Sequence, residues 1–363
     1  SRVSVTFDNK IVIMGSQAVR NTCKLFLPGL RKNDFFGKYL LAGDVGGTKT
    51  NLAFCQAGQG ELQVLVTKSY SSDDFKSLVE LMNAFFAELP HKPDRICLGV
   101  AGPVIDGSVR FTNLGWDVQV SELSASLQVP EVKLLNDLEA TAYGLAAMEA
   151  RDFHTLHEGH HLDGNSAIVA PGTGLGEAGL YFDGDCLHPF STEGGHSDFS
   201  PRTSLDFKLY QYLEQLYGIV SWEKLISGPA IEDIFNFLCT ERSITVPSAL
   251  AKRIREEDSS AVISKEAIDG NDSTCKETMD LFVSYLAREC TSMALKMKAV
   301  GGLYLAGGIP PKILPLLQRP LFMESFMKSD RMETLLEQVG IHVILNQRAP
   351  MLGAACYAAY GKW

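Results

Sequence analysis

Short apolar runs, glycine-rich breaks and longer amphipathic stretches follow one another along the chain in a repeating order. The first such series begins at Tyr39, where two glycines interrupt an apolar run, as is typical of a β-hairpin with a Gly-Gly turn. A third β-rich run covers residues 62–70. Apolar residues then recur on one helical face, which predicts a helix over residues 72–89 with Ser72-Asp73-Asp74 as its cap.

The same series continues with strand patterns separated by turn signals. The patterns predict a buried strand at 96–100, a hairpin at 104–116 around Asp106-Gly107, a strand at 131–135 and a helix at 138–148. Asn136-Asp137 follows the last of these strands. This order of strands and helices is typical of an α/β domain.

A second series repeats the outline of the first. An apolar strand at 166–170 leads into the glycine turn Gly172–Gly176, and an outgoing strand follows at 177–182. Two such openings predict two related α/β domains facing each other across a cleft. The later patterns predict helices at 205–217, 229–239, 247–257, 275–298 and 350–360 and strands at 303–306 and 342–345.

Composition and charge narrow the class of protein. The 363 residues suffice for two domains, and 45% hydrophobic with 21% charged residues is typical of a soluble globular protein. A net charge of −10 argues against nucleic acid as a partner, and no apolar run reaches the length of a membrane span. Eight scattered cysteines without a C-x-x-C pair predict reduced thiols, and hence a cytoplasmic protein.

Residues 1–38 differ in charge from the rest of the chain, with seven Lys/Arg against two Asp. Residues 3–13 could form a hairpin. The sequence leaves two interpretations of this extension open. It is the remnant of a targeting segment for an organelle, or an ordered arm at a subunit contact such as that of a homodimer.

The first candidate for chemistry is the turn after the opening strand. Gly46 and Gly47 lack Cβ atoms, so their backbone N–H groups can approach a phosphate, and Thr48 and Lys49 stand beside them. Asp44 ends the strand, where a carboxylate can hold Mg²⁺ through its water shell. The turn is not a Walker A motif, and an ordinary tight hairpin is the alternative.

Asn136-Asp137 is the second candidate. A carboxylate at the carboxyl end of a central strand faces the ligand side of an open α/β sheet, where it can accept the proton of an attacking hydroxyl. The alternative is that Asp137 only caps the helix that begins at Leu138.

The third candidate is Glu193-Gly194-Gly195-His196. Two glycines between an acid and an imidazole bring both side chains onto one tight loop, where they can bind neighbouring sugar hydroxyls. The alternatives are a metal ligand or a buried loop histidine, and one Glu with one His makes a weak zinc site.

From about Tyr39 to the C-terminus, these motifs in this order resemble the glucokinases of bacterial type, within the superfamily of hexokinase, Hsp70 and actin. The resemblance implies an α/β fold with two actin-like ATPase (ribonuclease H-like) domains facing a central cleft. It places a small domain at 39–147 plus 346–363 and a large domain at 148–345. The related repressor-type sugar kinases carry a cysteine-rich zinc motif after the Glu-His loop, whereas Ser197-Asp198-Phe199 follows here, so zinc is rejected.

The resemblance also implies roles for single residues. Asp137 matches the general base, and the residues matching glucose ligands are Asn136, Asp137, Glu193, His196 and Glu223. Asn113 is either a further sugar contact or a turn asparagine. The residues matching the ATP-binding segments are Gly43, Asp44, Val45, Gly46, Gly47 and Thr48, then Gly172, Thr173 and Gly174, Ser227 and Gly228, and Gly307 and Gly308.

The function implied is ATP-dependent phosphorylation of glucose at its 6-hydroxyl, with Mg²⁺ as cofactor and glucose and ATP as the small-molecule partners. Two alternatives stay open. One is a kinase for another hexose or with another phosphate donor. The other is a sugar sensor that binds nucleotide without catalysis.

Overall fold

A computed structural model of the chain describes residues 10–12, 24–32, 35–58, 61–111 and 113–363. Contacts divide these residues into two compact units. The first contains the described residues up to Asp152 together with Asp185–Ser191 and Asn346–Trp363, and the second contains Phe153–Gly184 and Thr192–Leu345. The units differ from the predicted domain bounds at residues 148–152 and 185–191.

The strands are β1 Lys10–Val12, β2 Tyr39–Val45, β3 Lys49–Ala57, β4 Glu61–Ser71, β5 Arg95–Val100, β6 Ser108–Phe111, β7 Trp116–Gln119, β8 Glu131–Asn136, β9 Phe153–His157, β10 Ser166–Pro171, β11 Leu175–Phe182, β12 Leu187–Thr192, β13 Leu303–Leu305 and β14 Ile341–Ile344. The helices are α1 Gly29–Lys32, α2 Leu78–Phe86, α3 Val120–Leu127, α4 Asp137–Gly144, α5 Ser204–Tyr217, α6 Gly228–Glu241, α7 Ser248–Glu256, α8 Ser259–Asp269, α9 Ser273–Met297, α10 Leu314–Leu317, α11 Pro320–Phe326, α12 Glu333–Leu336 and α13 Ala349–Tyr360.

The sheet of the first unit has the strand order β1-β4-β3-β2-β5-β8. Strands β2, β3 and β4 are antiparallel neighbours, whereas β2, β5 and β8 run parallel. The carboxyl ends of these parallel strands therefore lie at one edge of the sheet. Ligands of open α/β sheets bind outside such an edge.

The second unit repeats this arrangement with the order β12-β11-β10-β13-β14-β9. Its opening hairpin β10–β11 is antiparallel, and β10, β13 and β14 are parallel. The repeat predicted from the two glycine openings is thus confirmed at the level of strand pairing. The long helix α9 is buried along most of its length, as its wide apolar surface predicts.

Helix α13 packs against α4 at a close crossing that two glycines permit. A Cβ on Gly353 would lie 1.7 Å from the carbonyl oxygen of Ala140, and a Cβ on Gly144 would lie 2.3 Å from the carbonyl oxygen of Ala349. Both contacts involve backbone atoms, which cannot rotate away. The crossing matters for function because α4 carries Asp137 at its first position.

Gly353→Ala should therefore lower the free energy of unfolding by about 1–3 kcal/mol, since overpacking at a backbone contact is not relieved by side-chain motion. In an isolated helix the same change would be stabilising by roughly 1 kcal/mol, so the two effects have opposite signs. Urea denaturation of parent and variant measures the difference. A variant as stable as the parent would show that the helices separate at little cost.

Some predictions of helix caps and hairpins differ from the structure in detail. Ser72–Asp74 forms a short 3-10 turn, and the cap of α2 is Ser77, whose side chain accepts a hydrogen bond from Glu80 N. Asp106 and Gly107 form the predicted tight turn, flanked by an antiparallel bridge between Ile105 and Ser108, but the chain then makes a second hairpin, β6–β7, around the next loop. The predicted hairpin at 3–13 lies outside the described residues except for β1, which pairs with β4.

Within the described residues, the helices are too short or too polar to span a membrane.

Candidate active site

The parallel strands of the first unit bring two of the predicted motifs to the same sheet edge. In the register of the sheet Val45 pairs with Val100, and Val100 pairs with Asn136. Neighbouring strands are about 4.8 Å apart. The loop after Val45 and the start of α4 therefore project from the same edge, two strand positions from each other.

The loop after β2 is held by Ser72. Ser72 Oγ donates to the carbonyl oxygen of Gly46 at 2.9 Å, and Ser72 N donates to the carbonyl oxygen of Thr48 at 2.9 Å. Gly46 and Gly47 do not have positive φ, and the strands end at Val45 and resume at Lys49. The predicted β-hairpin is thus confirmed, and its loop contains Gly46, Gly47 and Thr48.

Gly43 and Val45 lie within β2 and pair with strands on both sides. A Cβ on Gly43 would lie 2.6 Å from Leu98 Cδ2, and Val45 is fully buried. Their backbone groups form hydrogen bonds within the sheet, so these two residues hold the end of β2 in place before the loop begins. The donors that a phosphate could meet belong to the loop itself.

Asp44 precedes this loop and is partly desolvated. Burial raises the pKa of Asp44, against which a hydrogen bond from Asn51 and the charge of Lys49 act. Asn51 Nδ2 lies 3.4 Å from Asp44 Oδ2, and Ser69 Oγ in turn donates to Asn51 Oδ1 at 2.6 Å. A cation near this carboxylate would offset its desolvation, which fits a magnesium ion held through water.

Asn136, and not Asp137, occupies the cap position of α4. Asn136 Oδ1 accepts from Leu138 N at 2.9 Å, and its Nδ2 donates to the carbonyl oxygen of Gly102 at 3.1 Å. Asp137 is the first residue of the helix, and its Oδ1 also accepts from Leu138 N at 2.9 Å. A carboxylate at a helix N-terminus is stabilised in its ionised form by the helix dipole.

Asn113 lies in the loop between β6 and β7 and is exposed. A Cβ on Gly47 would lie 3.7 Å from Asn113 Nδ2. The structure therefore places this asparagine beside the loop that follows β2.

In the second unit, Glu193 and His196 lie on one short turn, as the spacing predicts. Glu193 Oε2 and His196 Nε2 are 4.0 Å apart, and both side chains are largely exposed. The turn packs closely against the start of β11, since a Cβ on Gly195 would lie 2.1 Å from the carbonyl oxygen of Leu175. A carboxylate and an imidazole held side by side can bind adjacent hydroxyl groups.

Glu223 links this turn to the glycine loop after β10. Its Oε2 accepts from Leu175 N at 3.1 Å, and a Cβ on Gly174 would lie 2.6 Å from the same oxygen. The neighbouring Trp222 N donates to the carbonyl oxygen of Ser197 at 3.0 Å, just beyond the Glu-His turn. The carboxylate of Glu223 thus contacts the glycine loop that is predicted to bind nucleotide. The residue before it contacts the segment next to the turn that is predicted to bind sugar.

The other glycine segments of the second unit meet at the end of β10. Gly228 N donates to the carbonyl oxygen of Gly172 at 2.8 Å, and a Cβ on Gly307, which has a φ of +82°, would lie 2.5 Å from the carbonyl oxygen of Pro171. Nothing lies within 4 Å of a Cβ on Gly172 or Gly308, so their backbones are open to a ligand. This arrangement fits a cradle for a nucleotide.

The same cradle includes the N-terminus of α6. Ser227 Oγ caps this helix and accepts from Ala230 N at 3.4 Å, and Gly228 is its first residue. The N-terminus of a 14-residue helix favours an anion through its unpaired N–H groups and its dipole.

Sequence reasoning missed helix α8, which contributes to a pocket of about 230 Å³ in the second unit. The pocket is lined by Ile231, Ser260, Ala261, Ser264, Lys265, Ile268, Ile309, Lys312 and Ile313. Its mixture of apolar side chains and lysines suits a flat heterocycle with attached anionic groups. The available signal was Asp258, whose side chain accepts from Ala261 N and caps α8 before an apolar periodic run.

The protein-family model described as Glucokinase matches residues 41–360. The chain belongs to the glucokinase family. Its relatives include a glucokinase of Trichormus variabilis, 38% identical over 88% of this chain and 98% of the relative, and one of Synechocystis sp., 35% identical over 89% and 98%. Residues 1–40 lie outside the matched region.

Solved structures of the family share the fold. A glucokinase from an Antarctic psychrotroph has a TM-score of 0.77 and 31% identity, with 88% of this chain and 98% of that chain covered. The glucokinase of Balamuthia mandrillaris, solved in complex with glucose, has a TM-score of 0.74 at 23% identity, with coverage of 89% and 93%. The predicted α/β fold of the actin-like ATPase type is confirmed by these similarities.

Proposed function

We propose that this chain transfers the γ-phosphoryl group of ATP to the 6-hydroxyl of D-glucose with Asp137 as the general base. Membership in the glucokinase family makes the chain an enzyme of ATP-dependent glucose phosphorylation. The observation that supports Asp137 is its position at the first residue of α4, at the same sheet edge as the loop after β2.

Asp137 accepts the proton of the 6-hydroxyl as its oxygen attacks the phosphorus atom. The N-terminus of a helix favours negative charge, and an ionised carboxylate at this position can accept a proton. Asn136 fixes the first turn of α4 through its amide, which holds the backbone of Asp137 in place. A base held in this way loses little entropy when it acts.

Glu193, His196 and Glu223 bind sugar hydroxyls in the second unit. Carboxylates accept hydroxyl protons, and an imidazole can donate or accept according to its tautomer. Asn113 has a different role in this proposal from its predicted sugar contact, because it lies beside Gly47. It donates from its amide to a phosphate oxygen at the loop after β2.

For ATP, the fitting residues are the open glycine backbones described above. Phosphate oxygens meet the loop Gly46–Thr48 in the first unit, and in the second unit they meet Gly172–Gly174 and the N-terminus of α6. Gly307, Gly308 and the pocket lined by α8 hold the adenosine. Asp44 fits Mg²⁺ through water, and the ion supplies charge neutralisation on the phosphate groups.

The test is a coupled assay with a panel of sugars and phosphate donors. Glucose with ATP should give the highest kcat/KM, and fructose, galactose and N-acetylmannosamine should be poorer by up to several orders of magnitude, because each leaves polar groups of the site unpaired. A better sugar than glucose, or ADP or polyphosphate as a better donor, would contradict the proposal. Sugar binding without transfer would indicate a sensor.

We also propose a cytoplasmic location. Seven cysteines lie in the part of the chain that the structure describes, and none of them forms a disulfide there. Free buried thiols are typical of reducing compartments. A homodimer remains a prediction, and sedimentation velocity of the full chain tests it.

A further inference from the structure

Two buried carboxyl groups lie next to each other in the second unit, where no part of the proposed chemistry uses them. Glu177 on β11 is 1% exposed and Glu289 on α9 is 0% exposed, and each carboxyl lies close enough to shift the pKa of the other. Among the described residues, no donor group reaches Glu177 Oε1 or either carboxyl oxygen of Glu289. Two ionised carboxylates in such a place would repel each other without compensation.

Glu177 lies directly beneath the turn that carries Glu193 and His196. A Cβ on Gly194 would lie 2.0 Å from Glu177 Oε2, so this oxygen occupies the space that a side chain at position 194 would need. Thr192 Oγ1 donates to the carbonyl oxygen of Glu177 at 3.1 Å and accepts from Gly194 N at 3.2 Å. The backbone of the turn therefore packs directly against Glu177.

Few charges are available to neutralise the pair. Arg288, the neighbour of Glu289 on α9, donates to Asp206 Oδ2 at 2.7 Å and to the carbonyl oxygen of Ser200 at 2.6 Å, and its charge lowers the pKa of Glu289 less than burial raises it. Lys296 is exposed on the same helix. Its positive charge lowers the pKa of Glu289, but by less than burial raises it. The buried thiol of Cys290 also lies near the pair, and Glu193 and His196 belong to the turn that contains Gly194.

We propose that Glu177 and Glu289 share one proton and act as positioning residues for the sugar-binding turn, so that glucose affinity falls when the pair loses this proton. With one proton, the carboxyl of Glu289 donates a hydrogen bond to the carboxylate of Glu177, and both fit under Gly194. Without it, two negative charges repel each other and displace the turn. This inference rests on the proposed role of Glu193 and His196 in binding glucose.

The direction of the pH effect follows from burial. Burial raises the pKa of both carboxyls, and the negative charge of Glu177 raises the pKa of Glu289 further. A raised pKa means that the proton is held at neutral pH and is released as the pH rises. The well-positioned state is therefore present at neutral pH and lost in alkaline solution.

The experiment measures the dissociation constant of glucose without nucleotide between pH 6 and pH 10, using the fluorescence of the full chain. Trp222 precedes the sugar ligand Glu223 and provides a nearby probe. The variants are Glu289→Gln and Glu177→Gln, each of which keeps an amide hydrogen bond but cannot form the doubly charged pair. Glu324→Gln, on the exposed surface of α11, is the matched control.

In the parent and the control, the dissociation constant should rise by up to about tenfold per pH unit in alkaline solution, as one linked proton requires. In either glutamine variant this rise should be absent, while the affinity at pH 7 stays within about threefold of the parent. Either variant alone decides the question if the other does not fold. The same alkaline rise in parent and glutamine variants would overturn the inference, whereas a parent that does not bind glucose at pH 7 would overturn the proposed function.

Discussion

Asp137→Asn should lower kcat by about 10²–10⁴-fold and leave the KM for glucose almost unchanged. The reason is that an amide keeps the shape of the side chain but cannot accept the proton of the 6-hydroxyl, and a general base contributes about this much to a rate. The helix itself should survive, because Asn136 is the residue at its cap position. Steady-state kinetics with glucose and ATP measure both constants.

Asp117→Asn is the matched control for this variant, since Asp117 is an exposed aspartate of the first unit that pairs only loosely with Arg110. Its kinetics should equal those of the parent. Turnover of Asp137→Asn near the parent value would refute the base assignment and leave Asp137 as a helix-terminal residue. A large loss of stability in thermal unfolding would indicate that the carboxylate serves α4 more than catalysis.

The sequence predicts the strand-and-glycine framework well because that framework depends on local chemistry. Glycines mark positions where a Cβ would collide with backbone, as at Gly195 and Gly307, and apolar runs mark strands buried on both faces. Asn136-Asp137 could be placed at a strand end for the same reason. The order of these strand and glycine motifs along the chain was enough to predict membership in the family.

Other features depend on packing between distant segments and leave little trace in the sequence. The cap of α2 shifts to Ser77 because Ser72 is used to brace the loop after β2, which is not evident from either segment alone. Helix α8 shows a cap signal, but a pocket-lining role appears only when it packs beside residues near Ile309. Glu177 is an acid within an apolar run, and only the fold shows that Glu289 lies against it.

Substitution of Glu223 should have the second large effect on activity. Its side chain accepts a hydrogen bond from Leu175 N and is proposed to bind the sugar as well. Glu223→Ala would remove the proposed charge-assisted hydrogen bond to the sugar, worth about 1.5–3 kcal/mol, and would leave Leu175 N without its acceptor, at a cost in stability of about 1–3 kcal/mol. The lost sugar contact alone predicts a fall in kcat/KM of roughly 10- to 100-fold, and displacement of the glycine loop after loss of the Leu175 contact would increase it. The KM for ATP should also rise, because Leu175 follows the loop Gly172–Gly174.

Glu223→Gln separates the two contributions. The amide oxygen can still accept from Leu175 N, so the KM for ATP should return to near the parent value, while the loss of negative charge toward the sugar should still lower kcat/KM for glucose by about 10- to 100-fold. Glu324→Ala and Glu324→Gln on α11 serve as controls. If alanine and glutamine at position 223 raise the KM for ATP equally, the contact with Leu175 does not hold the glycine loop, and Glu223 acts on the sugar alone.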